Sequence, residues 1–307
     1  MMARIMYSLV MATMVTGTMV WASFTYVAPY IPPVVGSPEH VENKYVTVSA
    51  SPRLILENID GSVLILTHND PQIQQISIQA DIKVYDKHLS EDGVVLAYLD
   101  SIVAVDADNA VTRIITEPVE RPDGVMTYVD YIIEVPRGTN IEVSGSNGNI
   151  KISEGCGEVA VRGGNADIEI DKPGGNVWAS SINGRIRVKN SVRESSLETV
   201  NGNIYANVVS GSLNAFSTNG VIETVVEADS VISCTLNSKN GDVRLHIPSL
   251  FSATWDAFSD FGKVDSEVLS DIFQGTRTRN LLQGISGDGV MKLNLDSLNG
   301  NIEISKV

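Results

Sequence analysis

Apolar and polar residues alternate along most of this chain in short runs, and many of the runs follow the same tight-turn signal. The alternation has the period of two that is typical of a β-strand with one buried face. The turn signal is Asn-Gly, which favours tight turns because both residues tolerate a positive φ at low cost. The unit Asn-Gly-x-(Ile/Val) begins at Asn147, Asn183, Asn201, Asn219, Asn240 and Asn299.

The spacing of these units reveals an internal repeat. With Asn165, where Ala replaces the glycine, the first five asparagines stand 18 residues apart, and Asn240 follows the fifth after 21 residues. Asp60-Gly61 begins what looks like an outlying copy. A second apolar column starts nine residues after the first isoleucine of a coil, at Val159, Val177, Leu213 and Val231 with Ser195 as the exception, and continues two residues later at Val161, Ala179, Leu197, Ala215 and Ser233.

A coil of 18 residues that holds two strands predicts a parallel β-solenoid, because identical strands at a fixed spacing bury a continuous core only by stacking. Each coil would add about 4.8 Å along the axis. The asparagines would stack at one corner, where side-chain amides can bond to their neighbours. An internal column would contain Ile150, Ile168, Ile186, Ile204 and Ile222.

A triangular hexapeptide β-helix would also have 18 residues per coil, and it requires apolar residues at every sixth position. The position twelve residues after each isoleucine is too polar for a core column, since it holds Arg162, Ser180, Glu198, Phe216 and Cys234. We therefore predict an all-β chain that forms a single-domain parallel β-solenoid with two strands per 18-residue coil.

The regular repeat occupies only part of the chain, and the flanking segments differ from it in pattern. Residues 267–284 break the period and suggest a loop or short helix, and residues 86–124 suggest loops with a hairpin. We expect five segments: a signal peptide or N-terminal membrane anchor at 1–28, a Pro-containing linker at 29–44, an N-terminal β region at 45–146 with an insertion at 86–124, the regular solenoid at 147–250, and C-terminal solenoid coils at 251–307 with an insertion at 267–284.

The first segment is apolar and carries almost no charge. No Asp, Glu, Lys or Arg lies between Ile5 and Pro38, and Arg4 precedes this stretch. A positive start before an apolar run is typical of a secretory signal peptide, here with cleavage after Ala22. The same stretch is long enough to cross a bilayer as an uncleaved anchor. Both interpretations place the remaining chain outside the cytoplasm, because the positive charge tends to stay inside.

Composition and motifs limit the partners and the kinds of site that this chain can have. The net charge of −15 argues against a nucleic-acid partner, since phosphate neutralisation normally needs a basic face. Cys156 and Cys234 lie in the first and fifth coils, roughly 19 Å apart at the usual strand spacing. That separation is too large for a disulfide, so we expect two free, buried thiols. The four histidines have no metal-ligand spacing, and we expect no catalytic residue, no metal and no cofactor.

Charged and aromatic residues occupy the outward phases of the strands. Asp167, Glu169 and Asp171 alternate along one strand, which would suit a cation or catalytic site. Lys151, Glu169 and Arg187 share one repeat position, however, and an alternating-sign ladder is the better interpretation. The outward-facing aromatics Trp178 and Tyr205 could contact a glycan or a protein, or each could pack under a loop.

Several stretches carry a family resemblance through their order and spacing. Residues 129–136 lead into 140–143 and the first Asn-Gly strand, and 243–248 precede Ala253-Thr254-Trp255. Gly287-Asp288-Gly289 precedes the last unit. Residues 45–307 thereby resemble the bacterial "putative adhesin" domain of unknown function, a family of exported or membrane-anchored β-solenoids. The resemblance implies surface attachment or envelope sensing and no catalytic residues, and the two insertions depart from the family's compact form.

The leading functional hypothesis is a non-enzymatic extracytoplasmic β-solenoid that serves as an adhesin-like surface or envelope scaffold. Its partner would be a cell-envelope protein or glycan, and it would also contact the membrane if the N-terminal segment is uncleaved. One alternative is a self-assembling envelope scaffold that joins through open terminal edges. Another is a polysaccharide-active β-helix enzyme, which would use clustered carboxylates with Arg162, Arg185 or Arg187.

Overall fold

The chain forms two units, Met1–Ser37 and Pro38–Val307. In the first, strands β1 (Tyr7–Val15) and β2 (Thr18–Tyr26) pair antiparallel. Among the described residues, no helix has the length and hydropathy to span a membrane. The rest of the segment assigned to a signal peptide or anchor lies outside the described residues. This computed structural model describes residues 7–15, 18–26, 40–85, 102–116, 126–227, 230–248, 252–267 and 273–307.

Within the described residues, two large sheets build the second unit, here named sheet 1 with 13 strands and sheet 2 with 12. Sheet 1 contains β4 (Arg53–Asp60), β7 (Val103–Ala107), β8 (Thr112–Thr116), β10 (Asn140–Asn147), β12 (Val159–Asn165), β14 (Val177–Ser181), β16 (Ser195–Thr199), β18 (Gly211–Ser217), β20 (Val231–Ser238), β22 (Ala253–Ser259), β24 (Phe273–Arg277), β25 (Leu281–Ser286) and β26 (Met291–Ser297). Sheet 2 contains β3 (His40–Ser49), β5 (Val63–Thr67), β6 (Gln75–Tyr85), β9 (Met126–Val135), β11 (Ile150–Ile152), β13 (Ile168–Asp171), β15 (Ile186–Ser191), β17 (Ile204–Val208), β19 (Ile222–Val226), β21 (Val243–Ile247), β23 (Val264–Ser266) and β27 (Ile302–Lys306).

Consecutive strands from β10 to β21 alternate between the two sheets, and each pairs in parallel with the equivalent strand of the next coil. This arrangement confirms the parallel β-solenoid with two strands per coil. The predicted isoleucine column is also confirmed. Its members pair in register and are at most 2% exposed: Ile150, Ile168, Ile186, Ile204 and Ile222.

The second apolar column differs from the prediction at its last coil. Cys234 and Leu236 take the places that the sequence assigned to Val231 and Ser233. The register of β18 against β20 shifts after Gly211, so the extra residues of this coil come before the paired segment. The asparagine spacing gives the number of extra residues but not their place within the coil, and this is why the prediction was wrong here.

Each end of the solenoid contains one coil that is out of chain order. The last coil in sequence, β26 with β27, lies between β20–β21 and β22–β23. At the other end, β4 with β5 lies between β8–β9 and β10–β11. Both displaced coils therefore have a parallel neighbour on each side, and the coils that cover them become the outermost ones.

Antiparallel strands cover the outermost coils. At the C-terminal end, β25 pairs with β22 and β24 pairs with β25. At the N-terminal end, β6 pairs with β9, β3 with β6, and β7 with β8. The described part of 267–284 thus holds a hairpin instead of the suggested loop or short helix. Strand β3 begins at His40, inside the range that the sequence assigned to the linker 29–44.

The largest buried side chains lie in these outermost coils. Trp255 on β22 is 2% exposed, and its Nε1 donates a hydrogen bond to Ser286 Oγ at 2.8 Å. Tyr131 on β9 is 1% exposed, and its hydroxyl lies 2.8 Å from Thr116 Oγ1. Burial raises the pKa of Tyr131 to about 12. Large aromatic groups with a satisfied polar atom therefore close both ends of the apolar core.

The predicted asparagine stack is confirmed as a continuous ladder of hydrogen bonds. In each coil, the Asn Nδ2 donates to the side-chain oxygen of the coil on its N-terminal side, at 2.5–2.8 Å. Asp60 accepts the last of these bonds. The ladder therefore has a direction, because a carboxylate accepts but cannot donate. Its members are Asp60, Asn147, Asn165, Asn183, Asn201, Asn219, Asn240 and Asn299.

The turn glycines are required for a different reason from the one the sequence suggested. Gly61 and Gly148 have positive φ angles of 126° and 116°, whereas Gly202 does not adopt a positive φ. A Cβ on Gly202 would instead lie 2.0 Å from the carbonyl oxygen of Gly184 in the preceding coil. Close stacking of the corners, more than local conformation, therefore requires glycine in the regular coils.

A buried hydroxyl column beside the asparagines was missed in the sequence. In six coils, one hydroxyl donates to the backbone carbonyl of a residue in the turn of a neighbouring coil, as Ser217 Oγ does to Gly202 at 3.0 Å. The signal was present, because in five of these six coils Ser or Thr stands two residues before the ladder Asn. The donors are Ser181, Thr199, Ser217, Ser238, Ser259 and Ser297.

Candidate binding surface

Alternate residues of each strand point away from the core, so each sheet presents one outer face. We name these faces outer face 1, on sheet 1, and outer face 2, on sheet 2. Because the coils are in register, equivalent residues form straight columns across each face. The chemistry of a column is therefore set by one repeat position of the sequence.

The main column of outer face 2 alternates in charge. The predicted series Lys151, Glu169 and Arg187 is in register, as expected for a charge ladder. The direct ion pair of Glu169 is nevertheless with Lys189, at 2.6 Å. The hydrogen bond from Lys189 holds the pKa of Glu169 below its usual value. The column continues through Tyr205, Glu223, Arg244 and Glu303.

The three alternating acids of β13 and its preceding turn each have a basic or amide partner. Asp167 pairs with Arg185 at 2.7 Å, and Asp171 accepts a hydrogen bond from Asn190 at 3.3 Å. Together with the Glu169 ion pair, these contacts hold neighbouring coils to one another. Within the described parts of the chain, no group of three His, Cys, Asp or Glu residues is placed to hold a metal ion.

The arginines that the enzyme hypothesis would use do not converge. Arg162 lies on β12 and outer face 1, whereas Arg187 lies on β15 and outer face 2. Arg185 lies in the turn before β15, beside Asp167. The guanidinium carbon of Arg187 stands 5.4 Å from the ring centre of Tyr205, so this arginine packs against an aromatic side chain.

Two described histidines are held by the fold. His68 is 8% exposed and places its Nε2 2.9 Å from the carbonyl oxygen of Gln75. His246 on outer face 2 lies between Ser305, 2.7 Å from its Nδ1, and Glu223, 3.5 Å from its Nε2.

Trp178 and Arg162 form a stacked pair on outer face 1. The guanidinium carbon of Arg162 lies 4.9 Å from the centre of the Trp178 ring, a cation–π distance. The two residues lie on adjacent strands and are 16 positions apart, two fewer than one coil, so the contact is diagonal. Both side chains are partly buried, and Trp178 is outward-facing as predicted.

No carboxylate among the described residues lies within ion-pair distance of Arg162. Glu142, the acid that acts on it electrostatically, forms an ion pair with Arg53. Partial burial lowers the pKa of the Arg162 guanidinium. Arg162 thus differs from Arg53, Arg185 and Arg244, each of which pairs with at least one acid.

The C-terminal part of outer face 1 is acidic. Asp256 and Asp296 lie on the adjacent strands β22 and β26, and Asp260 follows β22. Burial and repulsion from Asp256 and Asp260 raise the pKa of Asp296. In the described chain, outer face 1 therefore carries two distinct features. One is Arg162, which has no ion-pair partner and lies over Trp178, and the other is a group of aspartates that repel one another.

Comparison with known proteins places these observations in a family context. A family model described as Toastrack DUF4097 matches residues 127–305, and no curated protein matches the chain. Among crystal structures, a "putative adhesin" from Bacteroides fragilis NCTC 9343 is 12% identical, with 88% of this chain and 98% of that chain covered and a TM-score of 0.49. A "putative adhesin" from Parabacteroides merdae ATCC 43184 is 10% identical over 89% and 98%, with a TM-score of 0.31. A "putative lipid binding protein" from Parabacteroides distasonis ATCC 8503 is 8% identical over 88% and 97%, with a TM-score of 0.29.

Proposed function

Because this chain belongs to the Toastrack DUF4097 family, we propose that it is a non-enzymatic extracytoplasmic β-solenoid that binds a cell-envelope component through the outer face of a sheet. The uncharged apolar stretch between Ile5 and Pro38 supports the location, as a signal peptide or an N-terminal membrane anchor. The matched residues 127–305 contain all the regular coils, so the proposed binding unit and the family region coincide.

The observation that carries this proposal is the Arg162–Trp178 pair. Interface centres are enriched in Trp and Arg, because these side chains bury a large area and keep a polar handle. Here the guanidinium carbon of Arg162 lies 4.9 Å from the centre of the Trp178 ring, and the in-register neighbours of both residues are small. Their arrangement suits recognition of a partner more than internal packing, since both point away from the core.

The charged residues of outer face 2 support a structural role for that face. Asp167 and Glu169 are engaged in ion pairs with side chains of the next coil. A catalytic carboxylate pair would instead need access to substrate and one raised pKa. The pKa of both acids is lowered. The enzyme alternative therefore has less support than binding.

Capture from the cell envelope tests the proposal. The full chain, tagged at its C-terminus and solubilised in mild detergent, is incubated with an envelope extract of the source cells. We expect one or more envelope components to be retained by the wild type and lost from a Trp178→Ala/Arg162→Ala variant. The matched control is Tyr205→Ala/Arg187→Ala, which removes the equivalent pair on outer face 2. If the wild type retains nothing above a bead-only background, the proposal is wrong.

The location is tested separately by N-terminal sequencing of the protein from cell fractions. A chain that begins at Ser23 would be secreted or periplasmic, and an intact N-terminus in the membrane fraction would indicate an anchor. Recovery of an intact chain only in the cytoplasmic fraction would contradict the extracytoplasmic location.

Strand β24 favours self-assembly as a second candidate function. It is the last strand of sheet 1, and four of its five residues are exposed. A strand edge without a partner can pair with another chain. Light scattering across protein concentrations should then show growth in mass, and Thr276→Lys on β24 should reduce it. A constant monomer mass would contradict this second function.

A further inference from the structure

The surroundings of Trp178 and Arg162 leave room for a ligand. The in-register neighbours of Trp178 are Ala160 and Ser196. Adjacent strands are about 4.8 Å apart, and Arg162 lies over the ring from the neighbouring strand β12, so the small Ser196 leaves space beside Trp178 on its other flank. The same holds for Arg162, whose in-register neighbours are the two small residues Ser144 and Ser180.

The positive charge of the Arg162 guanidinium is not balanced by a neighbouring acid in the described chain. The Arg162 guanidinium is partly removed from water and has no carboxylate within ion-pair distance in the described chain, because Glu142 pairs with Arg53. A partly desolvated cation is stabilised most by an anion that accepts its hydrogen bonds as well as neutralising its charge. The guanidinium fork can donate two parallel hydrogen bonds to a planar carboxylate, and its stacking on Trp178 restricts its orientation before binding.

The indole ring and the neighbouring hydroxyl groups indicate which other features the ligand should have. The part of the Trp178 ring that Arg162 does not cover offers an apolar surface, against which the C–H face of a pyranose ring can pack. Ser144, Ser180 and Ser196 place hydroxyl groups around the pair, and each can donate to and accept from sugar hydroxyls. A ring with an apolar face, hydroxyl edges and one carboxylate meets all three requirements.

The neighbouring acids limit the charge density of the ligand. Glu142 is diagonal to Arg162, and Glu198 lies on the same column two strands away, about 10 Å at the usual strand spacing. A polymer with a charge on every unit would meet one of these acids, and it would also approach a chain of net charge −15. One isolated carboxylate is favoured over a dense polyanion.

We propose that Arg162 and Trp178 form a binding site for a carboxylated pyranose in a glycan whose acidic residues are separated by neutral ones. Arg162 holds the carboxylate and Trp178 holds the ring. This inference rests on the proposed envelope-binding function and names the ligand class of its binding face.

Binding of defined oligosaccharides to the full chain tests the site. The probes are a tetrasaccharide of alternating glucuronate and neutral sugar, its methyl ester, a tetragalacturonate, and a short poly-glutamate peptide. Isothermal titration should show the alternating acid bound about tenfold or more tightly than its methyl ester and than the tetragalacturonate. Trp178→Ala and Arg162→Gln should each weaken the binding about tenfold or more, and Arg162→Lys should weaken it less. The control Arg187→Gln on outer face 2 should leave it unchanged.

Three outcomes would overturn the site. Equal affinity for the acid and its methyl ester would remove the role of Arg162, and tighter binding of poly-glutamate would indicate an acidic protein partner. Failure of all the sugars, with envelope capture by the wild type intact, would overturn this inference and leave the proposed function standing. Circular dichroism of each variant shows that any loss of binding does not come from unfolding.

Discussion

Asn147 Nδ2 donates a hydrogen bond to Asp60 Oδ1 across 2.5 Å, although 87 residues separate them in the chain. This bond joins the outlying first copy of the repeat to the regular coils. It also ends the corner ladder with a group that can only accept. Among the described residues, the single aspartate in the series therefore stands at the accepting end of the ladder.

Because the ladder has a direction, we predict that replacing an asparagine inside it with aspartate destabilises the fold. Asn201→Asp should lower the free energy of unfolding by about 1–3 kcal/mol at neutral pH, because the new carboxylate faces the Asn183 oxygen without a proton to donate. The loss should shrink as the pH falls towards the ordinary Asp pKa of about 3.9 and vanish below it, because the protonated acid donates again. Urea unfolding at several pH values measures both effects.

The control for this prediction is Asp60→Asn at the accepting end. An amide oxygen can accept the same bond from Asn147, so this change should reduce stability less than Asn201→Asp does. Equal losses for the two variants at neutral pH would show that the ladder has no functional direction.

A compensating pair at the corner of one coil predicts a mutational rescue. Ala166 stands where the other ladder coils have Gly, and Gly163 stands where the coils that follow have Ser or Thr. A Cβ on Gly163 would lie 2.7 Å from the Ala166 Cβ. Gly163→Ser should therefore destabilise the chain by about 1–3 kcal/mol, and adding Ala166→Gly should recover much of that loss. Thermal unfolding of both single variants and the double variant gives the coupling, and simple additivity would contradict the contact.

The exception in the second apolar column predicts a stabilising change. Ser195 is 1% exposed, and its Oγ has no hydrogen-bond partner among the described residues. Ser195→Ala should raise the free energy of unfolding by about 1 kcal/mol, because it removes an unsatisfied buried group. The matched control, Ser217→Ala, should lower it by about 1 kcal/mol, since Ser217 donates to the Gly202 carbonyl at 3.0 Å. Urea unfolding should show these opposite signs, and the same sign for both would refute the assignment.

The acidic part of outer face 1 predicts a pH-dependent stability. The raised pKa of Asp296 means that the folded state disfavours its charged form. Asp296 therefore does not change the free energy of unfolding below the ordinary Asp pKa. It lowers that free energy as the pH rises through the pKa that Asp296 has in the folded state. Asp296→Asn should raise the melting temperature at pH 7 by about 1–2 °C, which corresponds to about 0.5 kcal/mol, and change it little below about pH 4. Asp288→Asn in an exposed turn is the control, and a gain at low pH would contradict the mechanism.

The two cysteines predict slow thiol chemistry in the native chain. Cys156 and Cys234 are free and buried, as the coil spacing predicted, and burial raises the pKa of each to about 12. Because the thiolate is the reactive form, a maleimide should label the native protein at pH 7.5 far more slowly than the unfolded protein. Fast labelling of Cys234 in the native state would show that the last regular coils open readily.

The sequence was sufficient for the regular coils because their register is repeated. One isoleucine position, one asparagine position and an 18-residue step place every equivalent side chain of those coils. The charge column from Lys151 to Arg187 followed from the same rule. The ion pair of Glu169 did not, since Lys189 reaches it diagonally and a repeat position identifies only direct neighbours.

The candidate binding site was visible only in part for a similar reason. Trp178 was identified as outward-facing, and Arg162 was recognised as too polar for the core. Their stacking required the diagonal geometry of adjacent strands. The absence of an acid beside Arg162 in the described chain also depends on the competition of Arg53 for Glu142, a contact between coils that are far apart in sequence.

By itself, the sequence determined the parallel solenoid, its two columns and the corner ladder, because period, alternation and turn chemistry act locally in every coil. Only the tertiary structure decided the order of the end coils. Each coil presents similar backbone donors and acceptors on both edges, so hydrogen bonding alone permits the coil of residues 291–306 to follow or precede that of 253–266. Placing β26 and β27 inside leaves these two C-terminal strands paired on both edges, and the antiparallel hairpin that covers β22 encloses Trp255 at this end of the core.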